Sequence, residues 1–332
     1  MPEGPEILYS SVIINKLINN YSFDKIEFKN RKRHEDKFKN VHNYIVSDVS
    51  CKGKLLWIKL KNKKDYMFIH IHYGLHGWIF DTEPDNYLDY IITFNKKEKD
   101  KKIQKQLFMQ DRINLNKIYV VNEDEHNEII NKMGIDIFSD KFTKEIFREK
   151  IQSKRSLLAG FILSQDIFCG MGNYIKNDGM YMTKLNVRVK TCDLDLNQIN
   201  ELYHNILFIA YSKLLTHKRN IMKYLPEFKK VNKPEHLEVP YEYKVYSRKV
   251  TDNEQKVIKV SVSGRASYST QEYTTPIVED TKDKKEKNTK TTKKSTNNDK
   301  EKKITKKTIK KKPANYKKSV NYRKLMKDKV KK

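Results

Sequence analysis

Apolar and polar positions alternate with period two through Phe23–Phe28, Tyr44–Cys51, Leu55–Leu60, Tyr66–Tyr73 and Tyr87–Phe94, with a shorter run at Ile118–Val121. Such alternation turns one face of a strand toward a core and the other toward solvent. Turns rich in lysine, asparagine and glycine separate the runs, which predicts a β-sandwich or barrel. Ahead of them Ile7, Leu8, Val12 and Leu17 fit an amphipathic helix at its edge. From about Glu123 the period becomes helical, with helices expected at Phe142–Ile151, Ser156–Ser164, Tyr174–Tyr181 and Leu196–Leu215. Residues 241–274 return to alternation. Tyr243–Tyr246 and Val257–Val262, flanking a turn, predict a short β-ribbon. Beyond Pro276 apolar residues are too sparse to build a core. The fold class is therefore α+β.

Composition narrows the function. In 332 residues the net charge is +27; Ile277–Lys332 carries 23 basic and 7 acidic residues, leaving +11 on residues 1–276. Body and tail are both basic, which points to a polyanionic partner. No apolar run is long enough for a bilayer and no signal peptide is visible, so an intracellular protein with no membrane partner is expected. Cys51, Cys169 and Cys192 are scattered and odd in number, which argues against a disulfide framework and a cysteine zinc site.

Two stretches carry candidate chemistry. The chain opens Met1-Pro2-Glu3-Gly4-Pro5-Glu6, and removal of Met1 would leave a secondary amine with a pKa of roughly 7.7–8.0. Such an amine attacks carbonyl carbon through a Schiff base, and Glu3 stands beside it to move protons. The hexapeptide also suits a plain helix start, with proline and carboxylates in the first turn. The second stretch, Gln165 through Asn173, contains Gly170-Met171-Gly172-Asn173 between two helical patterns. Its glycines allow a tight turn and close backbone approach, and the following helix N-terminus can hold a phosphate; a simple asparagine-capped turn has the same sequence.

Four blocks in this order resemble the formamidopyrimidine-DNA glycosylase and endonuclease VIII family of base-excision repair enzymes: Pro2–Glu6, Cys51-Lys52-Gly53-Lys54-Leu55-Leu56, Gln165–Asn173, and Ser263-Gly264-Arg265-Ala266-Ser267-Tyr268. The resemblance spans residues 1 to about 272. It implies a sandwich domain at 1–122, a helix–two-turn–helix domain at 123–240 and a β-ribbon finger at 241–275, whereas the lysine-rich tail at 276–332 has no counterpart in the family. By resemblance, Pro2 attacks C1′ of the damaged nucleotide and Glu3 acts as acid and base on the sugar. Lys54 contacts phosphate and assists β-elimination, and Arg265 assists δ-elimination. Asn173, beside Gly172, grips the backbone, Leu75 fills the space of the extruded base, and Glu6 supports the site. The usual finger holds zinc on four cysteines, but none lies between Tyr241 and Thr275, so a zincless finger with no metal or cofactor is implied. Gly4 leans toward the endonuclease VIII branch, which favours oxidised pyrimidines. The implied partner is damaged duplex DNA, with single strands as an alternative, bound by a monomer in the nucleus of a eukaryote or in a cytoplasmic or viral compartment.

The chain departs from that pattern in places. Asp111-Arg112-Ile113-Asn114-Leu115-Asn116 has arginine shifted by one against the family's opposite-base segment, which puts the Arg112 contact in question. Asp178 stands where a glutamate near the catalytic proline is usual. The tail reads either as a salt-sensitive DNA attachment or nuclear-targeting segment, or as a solubilising one. A DNA-binding protein without activity and an RNA-binding protein are the competing readings. Neither needs an N-terminal proline.

Overall fold

The computed structural model describes residues 2–29, 36–63, 65–99, 101–217 and 233–275. Helix α1 (Gly4–Ile18) starts on a reciprocal cap, in which the Glu3 amide donates to Glu6 Oε2 at 2.9 Å. Ile7, Leu8, Val12, Ile14 and Ile18 are all buried, because α1 lies against strands on one side and a long helix on the other.

Eight antiparallel strands follow: β1 (Ser22–Phe28), β2 (Ile45–Lys52), β3 (Leu55–Lys61), β4 (Tyr66–His72), β5 (Trp78–Phe80), β6 (Leu88–Glu98), β7 (Lys101–Gln110) and β8 (Lys117–Asn122). They form one continuous sheet in the order β5-β7-β6-β1-β2-β3-β4-β8. Strand β1 meets β2 through the single register pair Ser22↔Ile45 but meets β6 from Ser22↔Asn95 to Phe28↔Tyr90. The sheet bends at that weak seam, and the short helix α2 (Asp36–Lys39) touches both β1 and the far edge strand β8. Phe38 of α2 packs on Phe23 and Phe28. The two layers of the expected sandwich are thus halves of a single sheet around one core. Sequence patterning misses β7, whose first half, Lys101–Lys105, is too lysine-rich to alternate.

The helical half begins where the sheet ends. Asn122 Oδ1 accepts from the Glu125 amide at 2.9 Å and starts α3 (Glu123–Asn131). Helices α4 (Lys144–Gln152), α5 (Leu158–Ile162), α6 (Asn173–Met182) and α7 (Leu196–His217) follow, with α7 packed on α1, α4 and α6. Two residue pairs, β9 (Ile135–Asp136) and β10 (Phe168–Cys169), add a parallel ladder beside the glycine-rich loop.

The ribbon differs from its expected pairing. Strand β11 (Ile258–Val262) pairs with β12 (Arg265–Ser269) across the turn Ser263-Gly264, where both residues have positive φ, and α8 (Gln271–Thr274) ends the described chain. Tyr243–Tyr246 forms no strand. Its backbone amides are taken by a side chain: Lys244, Val245 and Tyr246 donate to the Asp178 carboxylate at 2.9–3.0 Å, joined by the Tyr241 hydroxyl at 2.9 Å. Amides bound to a carboxylate cannot serve a ladder. The lysine-rich tail lies outside the described residues.

Candidate active site

Three backbone segments converge around Glu3. The first is the start of α1, where the Gly4 amide donates to the Gly170 carbonyl at 2.8 Å and a Cβ on Gly4 would press on the Gly170 backbone. The second is the β2–β3 turn. Gly53 has φ +56°, its amide donates to Asp136 Oδ2 at 2.8 Å, and Lys52 Nζ donates to the Ile130 and Met133 carbonyls at 3.0 and 3.2 Å. Those bonds fix the turn that presents Lys54. The third is the loop entering α6, braced by Gln165, which accepts from the Gly170 amide at 3.1 Å and donates to the Met171 carbonyl at 2.9 Å.

Glu3 is fully buried, and its neighbour Pro2 is buried. Its carboxyl accepts from the Tyr174 amide at 2.8 Å and the Ile175 amide at 3.4 Å, so it sits on the N-terminus of α6. Any side chain on Gly172 would overlap that carboxyl and come within 2.5 Å of Lys54 Nζ. Glycine at 172 is the space in which Glu3 and Lys54 meet. Burial raises the Glu3 pKa to about 7, against the opposing pull of Lys54 and the Tyr174 amide. Desolvation lowers the Lys54 amine, Glu3 partly restores it, and the Arg265 guanidinium lowers it again. Glu3 therefore exchanges its proton near neutrality beside an amine whose pKa is lowered, as general acid–base work requires.

Glu6 lies behind. Its Oε2 accepts from the Glu3 amide and from the Tyr174 hydroxyl, both at 2.9 Å, and His217 Nε2 stands 3.5 Å from Oε1. Asn173 opens α6, with a side-chain Oδ1 that is buried and has no protein partner among the described residues. The ribbon is moored to the same helix. Lys176 Nζ donates to the Ala266 carbonyl at 3.0 Å and to Ser267 Oγ at 2.9 Å, and Asn177 Oδ1 accepts from the Tyr268 amide at 2.9 Å. Arg265, the residue before that mooring, is exposed. Burial lowers Lys176 to about 7, with Glu3 opposing the fall.

Leu75 and Arg112 lie on a different feature. Gly74, at φ +66°, lies so close to the Leu115 backbone that a Cβ would come within 2.7 Å, so the β4–β5 loop rests on the 111–116 loop. Asp111 shapes the latter by accepting from the Ile113 amide at 3.2 Å and the Asn116 amide at 2.7 Å. Leu75, Ile113 and Leu115 are all exposed on these two loops, and Arg112 lies 5.8 Å over the Tyr87 ring. Asp178, expected near the proline, spends its carboxylate on residues 241–246 instead. Sequence reading missed Tyr174, Lys176, Asn177 and the Ile113–Leu115 tip. Only the position of the first three, directly after Asn173, could have flagged them.

A sequence profile of the formamidopyrimidine-DNA glycosylase N-terminal domain matches residues 1–113. Formamidopyrimidine-DNA glycosylase of Rickettsia peacockii is 26% identical over 284 residues, covering 81% of this chain and 97% of its own. Its counterpart in Protochlamydia amoebophila is 26% identical over 171 residues, 51% of this chain and 58% of that protein. Endonuclease 8 of Escherichia coli O157:H7 is 24% identical over 216 residues, 63% of this chain and 78% of that enzyme. Among solved structures, Lactococcus lactis formamidopyrimidine-DNA glycosylase bound to DNA with an abasic site superposes with a TM-score of 0.63 at 17% identity, over 81% of this chain and 97% of that one. The MutM protein of Thermus thermophilus gives 0.63 at 16% identity, with the same coverage.

Proposed function

We propose, from the premise that the chain belongs to the formamidopyrimidine-DNA glycosylase and endonuclease VIII family of base-excision repair, that it is a bifunctional glycosylase and abasic-site lyase. The Pro2 amine, freed of Met1, attacks C1′ of the damaged nucleotide. The base departs from C1′ with the proton that the amine gives up, Glu3 then gives its own proton to O4′ as the C1′–O4′ bond breaks and the sugar ring opens, and the iminium forms on proline. Loss of the C2′ proton then expels the 3′ phosphate, and strand cleavage ends either there, by β-elimination, or after a δ-elimination that expels the 5′ phosphate. Lys54 and Arg265 neutralise those phosphates, while Asn173 and the α6 N-terminus hold the backbone. Chemistry at C1′ requires the base outside the stack, and Leu75, with Ile113 and Leu115 on the adjoining loop, supplies the apolar tip that fills the gap.

The observation that carries this reading is Glu3: a fully buried carboxyl next to Pro2, with a pKa near 7 and Lys54 in its reach. Structural cores have little use for such a group, whereas an acid that must donate near neutrality needs it. The substrate is damaged duplex DNA met by a monomer inside the cell, with oxidised pyrimidines favoured. The ribbon acts as a zincless finger moored by Lys176 and Asn177, and the lysine-rich tail adds non-specific DNA attachment. The test is strand incision on duplexes carrying an oxidised pyrimidine or 8-oxoguanine. The wild type is expected to incise the pyrimidine duplex faster, and Glu3→Gln to bind it equally while losing about 10²-fold or more in base removal. Tight binding without incision on either lesion would overturn the enzyme reading.

A further inference from the structure

The β6–β7 hairpin is longer than the sheet that supports it. Strands β6 and β7 pair from Leu88↔Gln110 to Glu98↔Lys101, yet β1 stops pairing with β6 at Ser22↔Asn95 and β5 reaches β7 only at Phe108–Gln110. Residues 96–99 and 101–102 therefore stand out as a two-stranded ribbon with no further strand beside it among the described residues. Residues 96–105 contain six lysines against Glu98 and Asp100, and Lys97, Lys99, Lys101 and Lys102 are exposed. Register places Lys97 directly across from Lys102. A like-charge cross-strand pair weakens a hairpin, so stability alone does not account for it, and local rules of this kind are broken where a surface serves a partner.

The open end of the hairpin fixes its direction: β7 ends at Gln110 and runs into the 111–116 loop that rests against Gly74, so Glu98 and Lys101 lie at the opposite end of the two strands. The catalytic turn Gly53-Lys54 closes the Lys52↔Leu55 end of β2 and β3, β4 ends at the same side just before Gly74 and Leu75, and the Leu115 backbone lies against Gly74. Asn95 and Ser22 lie level with Ile45, at the other end of β2, about 23 Å away along the strand. Lys61, the last residue of β3, and Lys63, in the β3–β4 turn, sit at that far end and are both exposed. A duplex in the catalytic site cannot also lie along this ribbon without a sharp reversal.

We propose that the ribbon of residues 96–99 and 101–102, with Lys61 and Lys63, is a second nucleic-acid site that grips the phosphates of another DNA segment while the first is held at Glu3 and Lys54. Phosphate recognition suits its composition: point charges on a projecting ribbon, with Ile103 the one apolar residue and half-buried. A protein partner would need aromatic or arginine anchors, which the ribbon lacks.

The test loads the full chain onto bead-bound short duplex carrying an abasic-site analogue, then offers a second, fluorescent, undamaged duplex. Wild-type complexes are expected to retain the second duplex in a salt-dependent manner. The set K97Q/K99Q/K101Q/K102Q should load the beads equally and retain about fivefold less, with a log–log salt slope shallower by roughly three to four. The matching lysine-to-arginine set should retain capture. If the glutamine set fails to load, the tip pair K99Q/K101Q serves with a proportionately smaller loss. Equal retention by the glutamine variants, no retention by the wild type, or capture of labelled poly-glutamate in place of duplex would overturn the proposal.

Discussion

Glu3 serves two helices at once: its backbone caps α1 and its side chain caps α6. Its proton therefore links stability to pH. The folded pKa is about 7 against an ordinary 4.5. Between those values the folded chain keeps a proton that the unfolded chain has lost, so stability falls as pH rises through the window and stays lower above it. Glu3→Gln removes that loss. Thermal unfolding should show it more stable than wild type at pH 8, by about 1–3 kcal/mol, with the gap closing by pH 5; a gap equal at both values would contradict the buried acid. Gly172 is the other decisive residue. Gly172→Ala drives a methyl into Glu3 and Lys54, and incision should fall about 10²-fold, as displacements near 1 Å do, with little change in duplex binding. Glu3, Lys54 and Gly172 were legible because each sits in a distinctive local block. Tyr174 and Lys176 were not, since their partners Glu6 and Ser267 are 168 and 91 positions away.

Helices and most strands followed from periodicity, and failures arose where a tertiary partner claimed the backbone. Tyr243–Tyr246 alternates like a strand, yet Asp178 takes three of its amides. Asp178 is buried and burial raises its pKa, the bonds it accepts opposing the rise. Asp178→Ala would orphan three amides and the Tyr241 hydroxyl at roughly 1–3 kcal/mol each before relaxation. Urea unfolding should register a loss of about 3 kcal/mol or more, and limited proteolysis should open residues 233–275 first. Loss of stability without new cleavage there would contradict the assignment of Asp178 to the ribbon's approach. Strand β7 escaped detection for the opposite reason, because its first half projects beyond the core that would impose alternation.

At the scale of the molecule, α+β architecture was legible from the change of period near residue 123, but not that one bent sheet makes both layers. A buried histidine pair ties the helical half to it. His70 Nε2 lies 2.9 Å from His126 Nδ1, and the His126 ring stacks on Phe68 with centroids 3.8 Å apart. Burial lowers His70 to about 3 and His126 to about 4; their mutual repulsion adds to the first, and Lys59 to the second. The unfolded chain takes up those protons below about 6.5 and the folded chain does not, so stability is present above that pH and lost as it falls toward 4. Denaturant titrations should show a slope of about 1.4 kcal/mol per pH unit for each histidine, reduced in His126→Phe. An unchanged slope would show that other groups drive acid unfolding.

The central claim is that the amine of Pro2 forms the covalent intermediate, and borohydride trapping on a duplex with an abasic site tests it most directly. Methionine-processed protein should give a reduced protein–DNA adduct whose peptide map places the sugar on Pro2, and a form extended at the N-terminus should give none. An adduct mapped to a lysine, or none from processed protein that still binds the duplex tightly, would contradict it.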